Sequence, residues 1–190
     1  ALEGGKILAS IVSRATKIML MTQDNAKLRN RSRAIFTAND DKEVNRDYQS
    51  ALQMKGNIET GKIVYQKNCG LCHQIRQSNG RAIGPDLGTI HNWSREAIMA
   101  HILAPNLSIS SGFDLWSVEL SNGEKIQGLI ASETPGAINL RNVGSTDRIV
   151  NRNDIRSLKA LNMSIMPANM VKQISKQQMA DLLAFLKQNK

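Results

Sequence analysis

The two cysteines of this 190-residue chain, Cys69 and Cys72, lie three positions apart, and His73 follows the second cysteine directly. Residues three apart on a helical turn point to the same side of the backbone. Both sulfur atoms therefore face the same way, with an imidazole next to them. This cluster constrains the fold more than any other feature of the sequence, because the backbone must bring three chemically active side chains together.

Four kinds of chemistry use cysteines at this spacing. A disulfide would close a very short loop and so stabilise the fold little. A thioredoxin-like redox pair is expected within a βαβ pattern, whereas this motif lies in a zone of helical spacing. A zinc site needs three or four ligands, and His91 and His101 are the only other histidines. The fourth, covalent attachment of one c-type haem, uses Cys-x-x-Cys-His, and the spacing favours it.

The haem explanation accounts for each side chain. Cys69 and Cys72 can reach the two vinyl groups along one porphyrin edge, and His73 then lies under the iron as the proximal ligand. The composition agrees with a flat apolar group in the core, because 41% of the residues are hydrophobic but only 4% are aromatic, with 8 Met.

The net charge of +9 suggests an acidic partner, a nucleic acid or an anionic membrane surface. Lys and Arg are spread along the chain, and the aromatic residues are too few for a nucleic-acid-binding surface. The apolar run Ile7–Met21 is broken by Arg14 and Lys17, so it is too short and too charged to span a membrane. No cleavable signal peptide is evident, and the start without Met suggests a processed or excised fragment.

The chain is expected to contain an N-terminal helical extension, residues 1–57, and a haem domain, residues 58–190. A helix precedes Cys69, and a loop rich in Gly and Pro follows His73. Trp116, Val118 and Leu120 alternate with polar residues, and Asn122-Gly123 predicts a hairpin turn, so a meander of three to four strands is expected at about 113–156. Ser175 and Gln178 have capping-box spacing at the start of a last helix.

At these residues the sequence resembles the class I monohaem cytochrome c family. Gly61 and Tyr65 precede Cys69 at four-residue intervals, as in the family's N-terminal helix. The segment Ile83-Gly84-Pro85-Asp86-Leu87 resembles the family's loop, in which the Pro carbonyl accepts a hydrogen bond from the proximal histidine. The resemblance therefore implies that role for Pro85, and it implies that Leu182 and Phe185 of the last helix cross the first helix.

A narrower resemblance covers most of the chain and is to the C-terminal haem-binding module of large exported bacterial proteins with dehydrogenase-like propellers or helical repeats. It rests on segments such as GPDLGTI, NRNDIRSL, SIMPANM and MADLLAFL. Together the two resemblances imply a mainly α cytochrome c fold around one haem, with the helical extension and a small inserted β-meander.

The sixth ligand implied by the resemblance is Met166, in Ser164-Ile165-Met166-Pro167 shortly before the last helix. Met163 and Met170 are nearby, and a Met in such a segment is by default core filler. His101 or an open iron position are the alternatives, and His91 reads as a polar loop residue. For the haem propionates the sequence offers three candidate donors: Arg76, Arg81 and Trp93.

With His and Met on both faces, the iron has no free position for a substrate, so the sequence predicts an electron carrier rather than an enzyme. A haem-based sensor, or a peroxidase-like catalyst with an open or labile distal site, is the alternative. The expected partner is an acidic redox protein or a fused dehydrogenase domain. Covalent haem attachment implies the bacterial periplasm or another exported location.

Overall fold

The computed structural model describes residues 16, 19–20, 25–38, 46–76, 82–106, 108–143, 146–167 and 173–188. The chain divides into two units, Ala1–Gln49 and Ser50–Lys190. In the first unit, helix α1 spans Ala26–Ala38, and Asn25 Oδ1 accepts a hydrogen bond from the Leu28 N–H at 3.1 Å. The apolar run Ile7–Met21 of the predicted helical extension lies almost entirely outside the described residues, and the 57/58 boundary stays a prediction.

The second unit contains helices α2 (Ile58–Asn68), α3 (Arg95–Leu103) and α4 (Lys176–Gln188), with 3-10 turns at Leu87–Asn92 and Arg152–Asp154. Side chains cap the helices as their types predict. Asn57 Oδ1 accepts from the Thr60 N–H of α2, and Ser94 Oγ accepts from the Ala97 N–H of α3. The predicted capping box of α4 is confirmed, because Ser175 and Gln178 each accept a hydrogen bond from the other's N–H.

Helix α4 packs closely across α2. Gly61 allows this approach, because a Cβ at this position would overlap the backbone carbonyl of Asp181. One turn later the rings of Tyr65 and Phe185 lie 5.5 Å apart, centroid to centroid. Asp181 is 3% exposed, and its Oδ1 accepts from the Asn57 N–H at 2.8 Å and from Gln177 Nε2 at 2.9 Å. The contact that holds the start of α2 in place is therefore partly backbone packing and partly a buried polar network.

Five antiparallel strands form one sheet in the order β4-β3-β2-β1-β5. The strands are β1 Asp114–Leu120, β2 Lys125–Glu133, β3 Ala137–Arg141, β4 Arg148–Asn151 and β5 Ile155–Ser164. The predicted hairpin at Asn122-Gly123 is confirmed: it joins β1 to β2, and Gly123 has a φ of 86°, a conformation that glycine adopts without strain.

The sheet is strongly curled. β4 ends at Asn151 and β5 begins at Ile155, although these two strands form opposite edges of the sheet. The intervening chain can span at most about 14 Å, whereas the outer strands of a flat five-stranded sheet lie about 19 Å apart. The edges must therefore approach each other, and register shifts in the β1–β5 and β2–β3 pairs supply the bends that this requires.

The curled sheet has its own hydrophobic core. Val118, Leu120, Ile138, Leu140 and Val150 are buried against one another, and isoleucines and a leucine of β2 and β5 cover them. This cluster comes from β1, β3 and β4 and includes no residue of a helix. The sheet is therefore a second centre of packing within the unit Ser50–Lys190.

The predicted fold class, mainly α with a small inserted meander, is wrong. The structure has short helices and a five-stranded antiparallel sheet whose longest strand, β5, extends well past the predicted end of the β-rich segment at about residue 156. In β5 the burial pattern does not alternate strictly: Ser157 and Leu158 are both half-buried, and the pairing with β1 shifts register beside them, between Ser157 and Ile155. A bulge breaks the two-residue period on which strand prediction depends.

Candidate functional site

The turn that carries both cysteines continues directly from helix α2. Cys69 is the C-cap residue, and its N–H donates to the Tyr65 carbonyl oxygen at 2.8 Å. The Cys69 carbonyl oxygen in turn accepts from the N–H groups of Cys72 at 3.0 Å and His73 at 2.9 Å. Both cysteines are free thiols, Cys69 buried and Cys72 half-buried. The backbone of this turn is thus well defined, and no disulfide closes it.

Burial shapes the chemistry of both thiols. Burial, and to a smaller extent the neighbouring Cys72, raise the pKa of Cys69 to about 12. Burial also raises the pKa of Cys72. A redox-active Cys-x-x-Cys pair needs a lowered pKa on its attacking thiol. The site therefore does not have the electrostatics of a thioredoxin-like centre.

The imidazole of His73 is held by the segment Ala82–Gly88, called here the proximal loop. His73 Nδ1 lies 2.7 Å from the Pro85 carbonyl oxygen, so Nδ1–H donates and the lone pair of Nε2 stays available. Gly84 packs against the face of the ring, because a Cβ at this position would lie within 2.7 Å of both ring nitrogens. Burial lowers the pKa of His73, and the hydrogen bond to Pro85 opposes that effect. The ring is therefore neutral near pH 7, and Nε2 can act as an electron-pair donor.

Backbone hydrogen bonds tie the proximal loop to the cysteine turn. The N–H groups of Ile83 and Gly84 donate to the Cys72 carbonyl oxygen at 3.1 and 2.9 Å. Tyr65 donates its hydroxyl to the His73 carbonyl oxygen at 2.7 Å. The pKa of Tyr65 is raised by burial first, and then by the nearby Cys69 and an aspartate of the loop. Its hydroxyl therefore stays protonated and able to donate.

Asp86 closes the other end of the proximal loop. Its Oδ1 accepts from the N–H of Arg76 at 2.9 Å and from the N–H of Gly88 at 2.7 Å. Arg76 has a φ of 51°, which a non-glycine residue adopts only when its surroundings hold it there. Sequence reasoning did not identify Tyr65 or Asp86 as polar contributors, although an Asp two residues before Gly88 is a recognisable turn signal.

Met166 lies two residues beyond the end of β5, half-buried. Its N–H donates to Ser164 Oγ at 3.1 Å, and the Ser164 N–H donates to Asn106 Oδ1 at 2.8 Å. The segment with Met166 is thus connected to the chain that follows α3. Met163 is buried, at 8% exposure, and Met170 lies outside the described residues. The role of Met166 as iron ligand stays a prediction.

The remaining candidate residues that the structure describes have local contacts of their own. Trp93 is 40% exposed, and its ring lies 4.9 Å from that of His101, centroid to centroid. His101 Nδ1 lies 2.8 Å from the Ala97 carbonyl oxygen, as expected for a helix residue bonded within its own turn. Lys187 Nζ donates to the carbonyl oxygens of His91 and Trp93, both at 2.7 Å. Arg81 lies outside the described residues.

The residues at the turn fit a covalently bound haem. Two neutral thiols are on one short turn. The neutral imidazole uses Nδ1 for a hydrogen bond and has Nε2 available. The residue that packs against the ring is a glycine, which leaves room beside it. In the described ranges, no cluster of three or more His, Cys, Asp or Glu side chains is arranged to bind a metal ion by itself. Every helix there is also too short or too polar to cross a lipid bilayer.

Comparison with known proteins agrees with this chemistry. Residues 56–109 match the model of the family described as cytochrome C oxidase, cbb3-type, subunit III. The matched segment contains α2, the cysteine turn, the proximal loop and α3, and it ends before the sheet and Met166. No curated protein is similar enough to the chain to be matched. Residues 56–109 are thus similar to a c-type cytochrome module, the kind of module that carries electrons through haem c.

Proposed function

We propose that the chain transfers electrons through one haem c, attached covalently to Cys69 and Cys72, with His73 and Met166 as the axial ligands. The observation that carries this proposal is the contact of 2.7 Å between His73 Nδ1 and the Pro85 carbonyl oxygen. It fixes the tautomer and the direction of the ring, as the orienting partner of a metal-bound histidine does. The family match of residues 56–109 supports the same chemistry.

Each residue then has a definite task. Bound haem c supplies an iron centre that gains and loses one electron. Cys69 and Cys72 hold the porphyrin edge against the end of α2. His73 would donate its Nε2 lone pair, and the Pro85 carbonyl oxygen would strengthen that donation by accepting a hydrogen bond from Nδ1–H. Met166 would be the second protein ligand of the iron and would supply a thioether, which favours the reduced state more than a second histidine would. Two protein ligands would keep substrates away from the metal.

We further propose an acidic redox partner, or a fused dehydrogenase domain, for a module exported to the bacterial periplasm. The chain has a net charge of +9. Lys62 and Lys67 are exposed on α2, and Lys67 is in the last turn of that helix, just before Cys69. Positive charge beside the point of haem attachment would steer an acidic partner there, and added salt would slow the association.

The proposal is tested by producing the protein in a host able to attach haem c and recording its absorption spectrum in the oxidised and reduced states. We expect haem that stays attached after denaturation and the weak red-end band that reports a Met–iron bond. Met166→Ala should abolish this band and leave the haem attached. Met163→Ala is the matched control, because Met163 is a nearby buried methionine, and it should keep the band.

The other outcomes separate the alternatives. Covalent haem without the red-end band, together with ready binding of carbon monoxide by the reduced protein, would favour a sensor or a peroxidase-like catalyst. A band that survives in Met166→Ala would assign the distal position to another residue. Absence of covalent haem would contradict the proposal as a whole.

A further inference from the structure

Arg141, the last residue of β3, connects the sheet to the proximal loop. Its Nη1 donates to the carbonyl oxygen of Ala82 at 3.0 Å. The rest of the guanidinium faces Asp147: Nη2 lies 2.8 Å from Oδ2, and Nε lies 3.2 and 3.1 Å from the two carboxylate oxygens. Asp147 therefore holds one edge of the guanidinium in the sheet, and the other edge is directed at the loop.

Ala82 is the residue directly before the part of the loop that contacts the cysteine turn. Ile83 and Gly84 donate their N–H groups to the Cys72 carbonyl oxygen, Gly84 packs on the imidazole, and the Pro85 carbonyl accepts from Nδ1. These three consecutive residues thus make the contacts that orient His73. A hydrogen bond at Ala82 limits the movement of the backbone that carries all of them.

The Arg141–Asp147 pair is better built than an ordinary surface ion pair. The side chains are 30% and 26% exposed, and the Arg141 guanidinium makes several hydrogen bonds to one carboxylate. The hydrogen bonds to Asp147 raise the pKa of Arg141. Arg148 and Glu124 form a comparable pair on the same sheet, but their side chains are 48% and 42% exposed. The two terminal nitrogens of the Arg148 guanidinium donate to the two carboxylate oxygens of Glu124.

We propose that Arg141, held by Asp147, is a positioning residue for His73: it fastens the proximal loop against the imidazole and so helps to set the reduction potential of the haem. The inference rests on the proposed function, since it takes His73 to be an iron ligand. It gives the sheet a role in the haem site that does not require the sheet to contact the haem. The sheet becomes the rigid support of the loop on the proximal side.

Arg141→Met tests the proposal, with Arg148→Met as the matched control. Without the anchor, the hydrogen bond from His73 to Pro85 weakens, so His73 becomes a poorer donor to oxidised iron and the reduction potential shifts upward. Amide hydrogen exchange at Ile83 and Gly84 should accelerate by at least about tenfold, the factor expected when a hydrogen bond from a charged group is lost. Val118 in the sheet core should exchange at its original rate. Arg148→Met should change neither the potential nor these exchange rates.

Two further variants keep the test decisive. Asp147→Asn leaves Arg141 in place but weakens its support, so it should shift the potential in the same direction by a smaller amount. If Arg141→Met fails to fold, Arg141→Lys replaces it, because lysine keeps the charge but cannot bind both Ala82 and Asp147 through one planar group. Arg141→Lys should still raise the potential.

Each result is informative. A haem-loaded Arg141 variant with unchanged potential and unchanged exchange at Ile83 and Gly84 would overturn the inference and leave the proposed function intact. Faster exchange throughout the sheet would also overturn it, because Arg141 would then act on overall stability. Absence of haem from the wild-type chain would overturn the proposed function and the inference with it, and the spectrum reveals this before any variant is made.

Discussion

The cysteine turn and the curled sheet belong to the same unit but are organised by different interactions. At the turn, polar groups meet backbone carbonyls, as in His73 with Pro85 and Tyr65 with His73. In the sheet, apolar side chains such as Val118 and Ile138 pack on one another and are fully buried. One region brings two thiols and an imidazole together at a single turn, and the other forms a hydrophobic core from its own residues.

This difference has a consequence for stability. Hydrophobic burial and close packing are the largest favourable terms in folding, and the sheet obtains them from the chain alone. The α2–α4 contact also buries apolar side chains such as Val64 and Leu183, but it depends in addition on close backbone approach and on the polar network around Asp181. We therefore expect the sheet to keep its structure when the haem site is perturbed. We expect the helical region to respond strongly to the same change.

The largest effect is expected in the core of the sheet. Ile138→Ala should lower the free energy of unfolding by about 2–5 kcal/mol, because it removes buried methyl groups and leaves a cavity. The haem spectrum should not change, since Ile138 packs within the sheet cluster. Urea unfolding followed by circular dichroism, with the absorption spectrum, measures both. Ile149→Ala is the control: Ile149 is 75% exposed, and its replacement should change the stability by less than about 0.5 kcal/mol.

The contact between α2 and α4 should be disrupted by a larger side chain at Gly61. Gly61→Ala places a methyl group against the Asp181 carbonyl, and forcing α2 and α4 apart should cost about 1–3 kcal/mol. It should also reduce the yield of haem-loaded protein, because α2 ends at Cys69. The control is Gly70→Ala, whose Cβ would have no neighbour closer than 3.5 Å. Equal losses in the two variants would contradict the close approach at Gly61.

Thiol alkylation of the haem-free chain tests whether the cysteine turn is folded in the absence of haem. Because burial raises the pKa of Cys69 to about 12, almost none of it is thiolate at pH 8. We expect it to react with iodoacetamide at least about tenfold more slowly than in the denatured chain. Cys72 is less buried and should be slowed less. Equal rates for native and denatured chains would mean that the turn forms only with haem attached.

The smallest effect is expected at the surface of the sheet. Hydrogen bonds from Arg148 lower the pKa of Glu124 from its ordinary value of 4.5. The pair therefore stabilises the fold above pH 4.5, and the contribution disappears as the pH falls through the lowered pKa. Glu124→Gln should be slightly less stable than the wild type at pH 7, and this difference should shrink as the pH falls below 4.5. A difference that grows toward low pH would contradict this sign.

Much of the cysteine site could be predicted because its signals are local. Cys69, Cys72 and His73 are consecutive or nearly so, and a helical turn alone brings them together. The contact between His73 and Pro85, twelve positions apart, was implied by the family resemblance rather than by the residues alone, and the structure places both atoms within hydrogen-bond distance. The family resemblance implies that Met166 is an iron ligand, and the backbone contacts of Met166 do not test this role.

The sheet was harder to predict, for reasons of register. β1 and the Asn122-Gly123 turn obey the alternation and turn rules, so the sequence reveals them. β5 does not, because the register shift between Ile155 and Ser157 breaks the two-residue period. Its partner β1 lies about forty residues earlier in the chain. Such a pairing depends on how the whole sheet curls, and no local pattern reports it.

The sequence by itself determined that two thiols and an imidazole share one turn, that α4 begins with a capping box, and that a hairpin forms at Asn122-Gly123. Each of these depends on residues within a few positions of one another, where backbone geometry alone decides the outcome. Only the tertiary structure decided that the sheet has five strands and that Arg141 reaches the Ala82 carbonyl. These depend on strand pairing and packing between distant segments, whose energies come from contacts that exist only after the chain has folded.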